Sequence, residues 1–261
     1  MSSPGKELRL NKIFAKDKKT LIVPLDHGIV SGSVGGLEFP HKTIDWLKKG
    51  GTDAFIATYG IIRKFYKCFE DYGVILRMDG GPSDYAPDME AMDLMCTVED
   101  AIRVGADAVI TSTWLGGPHE ARTMASAMKL AAQCDAWGMP LIIETFVSSG
   151  IEPTVESVGM AARIGCELGA DVIKTYLVGD VEAYRQVTEN CFCPIVILGG
   201  EKADDELSVL RWTKTAVDAG AAGTSIGRNV FQHKSPQGVT RALRAIIHEN
   251  ASVEQAAQFI R

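Results

Sequence analysis

The chain has 261 residues and is 46% hydrophobic, enough to bury one large core, and a unit of this size is ordinary for a closed α/β barrel. A formal net charge of −6 and a pI near 5.4, with no large lysine or arginine cluster, exclude a binder of the nucleic-acid phosphate backbone. No apolar run approaches the roughly 20 residues needed to cross a bilayer, and the polar start Met-Ser-Ser-Pro-Gly-Lys lacks a secretory-signal core. The reading is a soluble, cytoplasmic protein with one domain over residues 1–261.

The first predicted strand covers 20–25 and ends in Asp26-His27-Gly28. A motif then recurs along the chain: a helix end, a glycine, a short apolar run. It appears as Lys-Gly-Gly-Thr-Asp-Ala-Phe-Ile (49–56), Val-Gly-Ala-Asp-Ala-Val-Ile (104–110), Leu-Gly-Ala-Asp-Val-Ile (168–173) and Ala-Gly-Ala-Ala-Gly-Thr-Ser-Ile (219–226). Glycine in the left-handed conformation stops a helix, and the apolar run suits a parallel strand covered on both faces. These runs are the even-numbered strands. The odd ones are 20–25, 73–78, 141–144 and 194–198, the last two introduced by proline. Helical stretches fall at 119–137, 155–168, 206–219 and 237–249, with a short terminal helix over 252–261. Eight alternating units specify a (β/α)8 TIM barrel, although a doubly wound sheet gives similar local signals.

In a barrel the chemistry lies at the carboxyl ends of the strands. Those ends are polar here: Asp26-His27 after strand 1, Arg77-Met78-Asp79 after strand 3, Ser112 after strand 4, Glu144 on strand 5, Lys174 on strand 6, Gly199-Gly200 after strand 7 and Gly227-Arg228 after strand 8. Lys174 carries the most information. An ammonium in an apolar strand is costly to desolvate, so it must be ion-paired with a neighbouring carboxylate or have its pKa lowered until the amine is nucleophilic, as Schiff-base chemistry requires.

The other positions are weighed similarly. Glu144 shares the face of Phe146 two residues on, and acts either as acid and base or as a structural partner of Lys174 or Arg77. Strand alternation sends one of Asp26 and His27 away from the site, and Asp26 is expected inside, with His27 kept as a candidate substrate contact. Asp79 is either a substrate contact or a turn cap beside Gly80-Gly81. Gly199, Gly200, Lys202, Gly227 and Arg228 form the candidate phosphate site: glycines admit backbone N–H groups close to an anion, and arginine adds charge-assisted bonds. Alternatively, the glycines only make tight turns.

Six cysteines at 68, 96, 134, 166, 191 and 193 form no Cys-x-x-Cys pair and are read as reduced thiols. Cys191-Phe-Cys193 offers two ligands without a third, and the histidines are scattered, so no metal and no cofactor are expected.

At Val-Pro-Leu-Asp-His-Gly-Ile-Val-Ser-Gly (23–32), Ala-Asp-Val-Ile-Lys-Thr-Tyr (170–176), Pro-Ile-Val-Ile-Leu-Gly-Gly-Glu-Lys (194–202) and Gly-Ala-Ala-Gly-Thr-Ser-Ile-Gly-Arg-Asn-Val-Phe-Gln-His (220–233), the chain resembles a known family. This is the archaeal-type class I fructose-bisphosphate aldolases, with the related aminodideoxyheptulosonate synthases and a thiolase of quorum-signal breakdown. The resemblance implies a (β/α)8 enzyme, often a decamer of two pentameric rings, in which Lys174 forms the Schiff base. It further implies that Asp26 assists proton transfer and that the loops at Gly199-Gly200 and Gly227-Arg228 hold substrate phosphate. The departure lies in strand 5, where the family's Tyr-Pro-Arg-Gly segment is replaced by Phe146-Val147-Ser148-Ser149-Gly150. Phenylalanine cannot exchange a proton, and the absent arginine removes a contact for a second phosphate. The expectation is therefore an aldolase acting on a phosphorylated ketose or keto-sugar other than fructose bisphosphate. Transfer to a second acceptor, thiolase-like acyl transfer and a non-catalytic sugar-phosphate sensor are the competing readings.

Overall fold

The computed structural model describes residues 3–200, 202, 203, 205 and 207–260. Eight strands form a closed barrel: β1 (Thr20–Pro24), β2 (Ala54–Ala57), β3 (Gly73–Arg77), β4 (Ala108–Leu115), β5 (Leu141–Val147), β6 (Val172–Thr175), β7 (Ile195–Leu198) and β8 (Gly223–Ser225). Each pairs in parallel with its sequence neighbours, and β8 closes onto β1. The (β/α)8 barrel expected from the repeating motif is the fold found.

Strand alternation sorts the apolar residues into two cores. Ile22, Ile56, Ile75, Ile110, Ile142, Val172 and Val196 point inward and fill the barrel. Their neighbours Leu21, Val23, Phe55, Leu76, Val109, Ile143, Ile173 and Ile197 point outward, into the layer covered by the helices. Because the period is two, the next inward positions toward the carboxyl ends are Arg77, Ser112, Glu144 and Lys174. Outside, helices such as Glu120–Trp137, Val155–Glu167, Ser208–Asp218 and Pro236–Glu249 lie where sequence placed them, within a residue or two. Glu206 and Arg261, at the edges of two expected helices, lie outside the described residues, and the terminal helix is the shorter Val253–Ala257. No described helix is long and apolar enough to cross a membrane.

The recurring glycine motif has a second function. Its aspartates, two residues after the glycine, sit at the amino end of the barrel and accept a hydrogen bond from the backbone N–H of the preceding strand: Asp53 from Leu21 (2.7 Å), Asp107 from Val74 (3.1 Å), Asp171 from Leu141 (2.8 Å). Each carboxylate also meets basic side chains, Arg244 and His248 for Asp53, Lys12 for Asp107 and Lys6 for Asp171. Two of those lysines lie on an N-terminal helix, Pro4–Ile13, which has no counterpart in the sequence reading. It plugs the lower mouth by inserting Ile13 into the interior cluster, with Leu10 and Phe14 packed beside it.

The upper mouth is built differently. Strands β4 and β5 run on together to the Leu115↔Val147 pair, beyond their neighbours, and make a raised wall. Opposite, the long segment after β3 folds over through a short antiparallel pair, Asp79–Gly80 with Asp93–Leu94. It is fastened to the wall by Glu90, whose Oε1 accepts from Ser149 N at 2.7 Å, and by an Asp88–His119 contact of 2.6 Å.

Candidate active site

A cavity of about 480 Å³ opens at the carboxyl ends of the strands, with Asp26, Arg77, Asp79, Ser112, Glu144 and Lys174 in its floor. Lys174 points inward, as the parity of Val172 requires, and is buried. Its Nζ lies 2.6 Å from Glu144 Oε1, so the lysine is ion-paired with a neighbouring carboxylate and also faces the cavity.

Arg77 is the hub that the sequence reading did not assign. Its Nε donates to Asp26 Oδ2 (2.7 Å), Nη2 to Glu144 Oε2 (2.5 Å), and Nη1 to Asp79 Oδ1 (3.1 Å) and Ser112 Oγ (3.0 Å). A planar fork with five N–H donors is the side chain able to engage three carboxylates at once. The available signal was positional: Arg77 shares the inward face of Ile75.

These charges set the protonation states. Burial opposes ionisation of Asp26, but the positive charges of Arg77, Lys174 and His27 outweigh it and bring its pKa down to about 2. Burial likewise disfavours the Glu144 carboxylate, yet Lys174 and Arg77 hold its pKa below the ordinary value, against a smaller opposing effect of Asp26. Burial lowers the pKa of Arg77, and Glu144, Asp26 and Asp79 more than offset this, so it stays charged. The pKa of Tyr176 is pushed up to about 12 by burial and by the negative charges of Glu144 and Glu90, which keeps its hydroxyl protonated.

Asp79 lines the cavity but is engaged twice, by Arg77 and by the backbone N–H of Ser112 (2.7 Å). A carboxylate so placed anchors Arg77 and the middle of β4 rather than contacting an anion. His27 departs from the alternation argument. The strand ends at Pro24, and His27 has already turned to φ −54°, ψ −30°, so it and Asp26 both face the cavity. Its Nδ1 is 3.7 Å from Asp26 Oδ1 and its ring packs edge-on against Phe231. Burial lowers the pKa of His27, opposed by Asp26 and reinforced by Lys174 and Arg228.

On one side of the cavity Gly199, Gly200, Ser225, Gly227 and Arg228 come together. Arg228 Nη2 donates to Gly200 O (2.9 Å) and Asn229 Nδ2 to Gly199 O (3.0 Å), which join the two loops. Gly227 is required by close approach, since a Cβ there would lie 2.7 Å from the His27 ring. Lys202 does not line this cavity. Its Nζ reaches Gln232 O at 3.4 Å, beside a neighbouring hollow that shares Gly199 and Gly200, because the chain has already left the barrel axis. Glu201, between Gly200 and Lys202, lies outside the described residues.

The far side is apolar. Phe146 stacks on Trp114 (centroids 4.5 Å, 20°) and meets Tyr176 edge-on (5.9 Å), with Met89 and Met92 of the covering segment opposite. Ser148, where the resemblance would place an arginine, is buried beside Glu90 and Gly117 and does not line the cavity.

A closed barrel with a buried lysine, a facing carboxylate and a glycine-arginine rim around one cavity at the carboxyl ends of its strands has the site placement of an α/β-barrel enzyme. The chain belongs to the DeoC/LacD family of aldolases, whose model matches residues 20–233. It is 36% identical over 258 residues to 2-amino-3,7-dideoxy-D-threo-hept-6-ulosonate synthase of Halobacterium salinarum, covering 98% of this chain and 96% of that protein. It is 32% identical to the 3-hydroxy-5-phosphonooxypentane-2,4-dione thiolase of Klebsiella pneumoniae, over 98% of this chain and 85% of that one. Among solved structures, an archaeal fructose-1,6-bisphosphate aldolase with its catalytic Lys covalently bound to the carbinolamine intermediate is 27% identical, with a TM-score of 0.84 over 93% of this chain and 99% of that chain.

Proposed function

We infer that this protein is a Schiff-base aldolase for a singly phosphorylated ketose or keto-sugar, with Lys174 as nucleophile. The observation that carries the reading is the inward-facing Lys174 Nζ, 2.6 Å from Glu144 and open to the cavity. Phosphate docks on the loops of Gly199, Gly200, Gly227 and Arg228, which brings the ketone carbonyl to the amine. Lys174 passes its proton to Glu144 and attacks the carbonyl carbon. The carbinolamine loses its hydroxyl as water, Glu144 returning the proton, and the resulting iminium draws electrons from the adjacent bond. Asp26, ionised above pH 2, takes the hydroxyl proton of the carbon being released; the carbon–carbon bond breaks to an aldehyde and an enamine. Protonation and hydrolysis free the ketone and Lys174. Holding the reacting groups in place is worth about 7–11 kcal/mol in such intramolecular settings.

The substrate class follows from the unequal ends of the cavity. One end offers glycines and Arg228, the other Trp114, Phe146, Met89 and Met92, with no cation among the described residues there to meet a second phosphate. Phe146 also has no proton to give. A cytoplasmic homo-oligomer without metal or organic cofactor completes the reading.

Transfer of the enamine to a second acceptor is the alternative, favoured by the 36% identity to a synthase. Steady-state turnover on a panel of singly and doubly phosphorylated ketoses, with and without added aldehyde or ketoacid acceptors, separates the two. Cleavage of singly phosphorylated substrates without an acceptor is expected. Preference for fructose bisphosphate would contradict the substrate class, and an absolute acceptor requirement would favour transfer.

A further inference from the structure

Three of the six thiols meet away from the active site. Cys166, on the helix Val155–Glu167, has its Sγ 2.9 Å from the Sγ of Cys191, in the turn that enters β7. Cys191 also donates to Cys193 O (3.3 Å), and Cys193 Sγ to Ala170 O (3.1 Å). All three are buried, while Phe192 between the last two is 62% exposed and marks the turn as the surface end of the cluster. The Cys191-Phe-Cys193 pair thus gains the third sulfur that its sequence did not reveal.

We propose that Cys166 and Cys191 form a peroxide-driven, reversible disulfide that ties the helix Val155–Glu167 to the base of β7. A disulfide requires the sulfurs to close to about 2.05 Å, a movement of roughly 0.9 Å from the present contact. The contact with Cys191 holds the Cys166 thiol below its ordinary pKa and so favours its thiolate, which is the nucleophile in this chemistry. The Cys166 thiolate attacks one oxygen of hydrogen peroxide; the O–O bond breaks, leaving a sulfenic acid on sulfur and hydroxide, which takes up a proton as water. The Cys191 sulfur then attacks the sulfenic sulfur and expels hydroxide, which leaves as water with the Cys191 proton. Two thiols are oxidised and one peroxide is reduced to two waters. Cys134 is buried without a sulfur partner, and Cys68 and Cys96 are only half-buried, so the geometry selects one pair.

The test treats the intact protein with a few equivalents of hydrogen peroxide, then maps disulfides by mass spectrometry of a non-reduced digest. The expected result is a Cys166–Cys191 cross-linked peptide two hydrogens lighter than its parts, a fall in thiols titrated under denaturing conditions from six to four, and a Tm raised by roughly 5 °C that dithiothreitol reverses. Cys193→Ser should keep the cross-link and the Tm rise, and Cys191→Ser should lose both. Should Cys191→Ser fail to fold, the wild-type map and the Cys193→Ser protein decide alone. Six titratable thiols after treatment, or a link through Cys193 in place of Cys191, overturns the proposal.

Discussion

Glu144 and Lys174 are direct cross-strand partners in the β5–β6 ladder, and their side chains close to 2.6 Å on the inner face of the barrel. The carboxylate therefore pairs directly with the amine, and in the proposed reaction it receives the amine's proton. Replacing Glu144 by Gln keeps the shape and removes the acceptor. The expected outcome is a fall in kcat of roughly 10²–10³-fold, with slower formation of the covalent adduct in single-turnover experiments. Unchanged adduct formation would assign Glu144 a purely structural role.

Arg77 binds Asp26, Asp79 and Glu144 at once, all buried. Arg77→Met takes the bonded cation from Asp26 and Asp79 and leaves Glu144 with Lys174 alone, and should cost about 3–5 kcal/mol in urea unfolding. Arg77→Lys should recover only part of that, because one ammonium cannot span the three carboxylates as the fork does. Equal stability of the two variants would contradict the hub geometry.

Two groups give opposite pH signatures. Asp26 has its folded pKa lowered to about 2, so its contribution is present above the unfolded value near 3.9 and is lost as pH falls toward 2; about 2 kcal/mol is at stake. His248 behaves in reverse. Burial lowers its pKa, but contacts to Asp53 (2.9 Å) and Asp17 (2.8 Å) outweigh this and raise it, so its stabilisation is full below the unfolded value near 6.5 and is lost as pH rises through the folded value. Melting curves of His248→Gln against the parent should therefore converge on the alkaline side, and those of Asp26→Asn on the acid side.

Arg228 is the cation at the glycine rim. Arg228→Gln should raise KM for a phosphorylated ketose by roughly 10–100-fold, the worth of a charged hydrogen bond of about 1.5–3 kcal/mol, while kcat changes by only a few-fold. A ketose lacking phosphate should be handled equally by both proteins. If its KM rises as well, Arg228 acts through the fold rather than through the anion.

Much of the barrel was legible because it is periodic. The glycine before each even strand takes a positive φ, for example 99° at Gly169, and the two-residue alternation carries Val172 to Lys174 and Ile142 to Glu144 on the inner face. What periodicity cannot convey is partnership. Arg77 was visible as a polar strand end, but its bonds to Asp26, Ser112 and Glu144 depend on strands that are distant in sequence. The helix Pro4–Ile13 has a weak apolar pattern, and its function as a plug arises only when the barrel offers a lower mouth for Ile13. His27 is read by strand alternation at a position where the chain has already left the strand, and Asp79 by turn chemistry at a position that pairs with Leu94. Lys202 was placed by its nearness to Gly200 in sequence, whereas its side chain lies outside the cavity.

Borohydride reduction in the presence of singly phosphorylated ketoses, followed by mass measurement of the peptide containing Lys174, reads the covalent linkage itself. The expected result is a gain on Lys174 equal to the mass of the bound ketone less one oxygen, and no gain in Lys174→Met, which should also be inactive. An unmodified Lys174 during turnover, or a Lys174→Met protein that still cleaves its substrate, would contradict it.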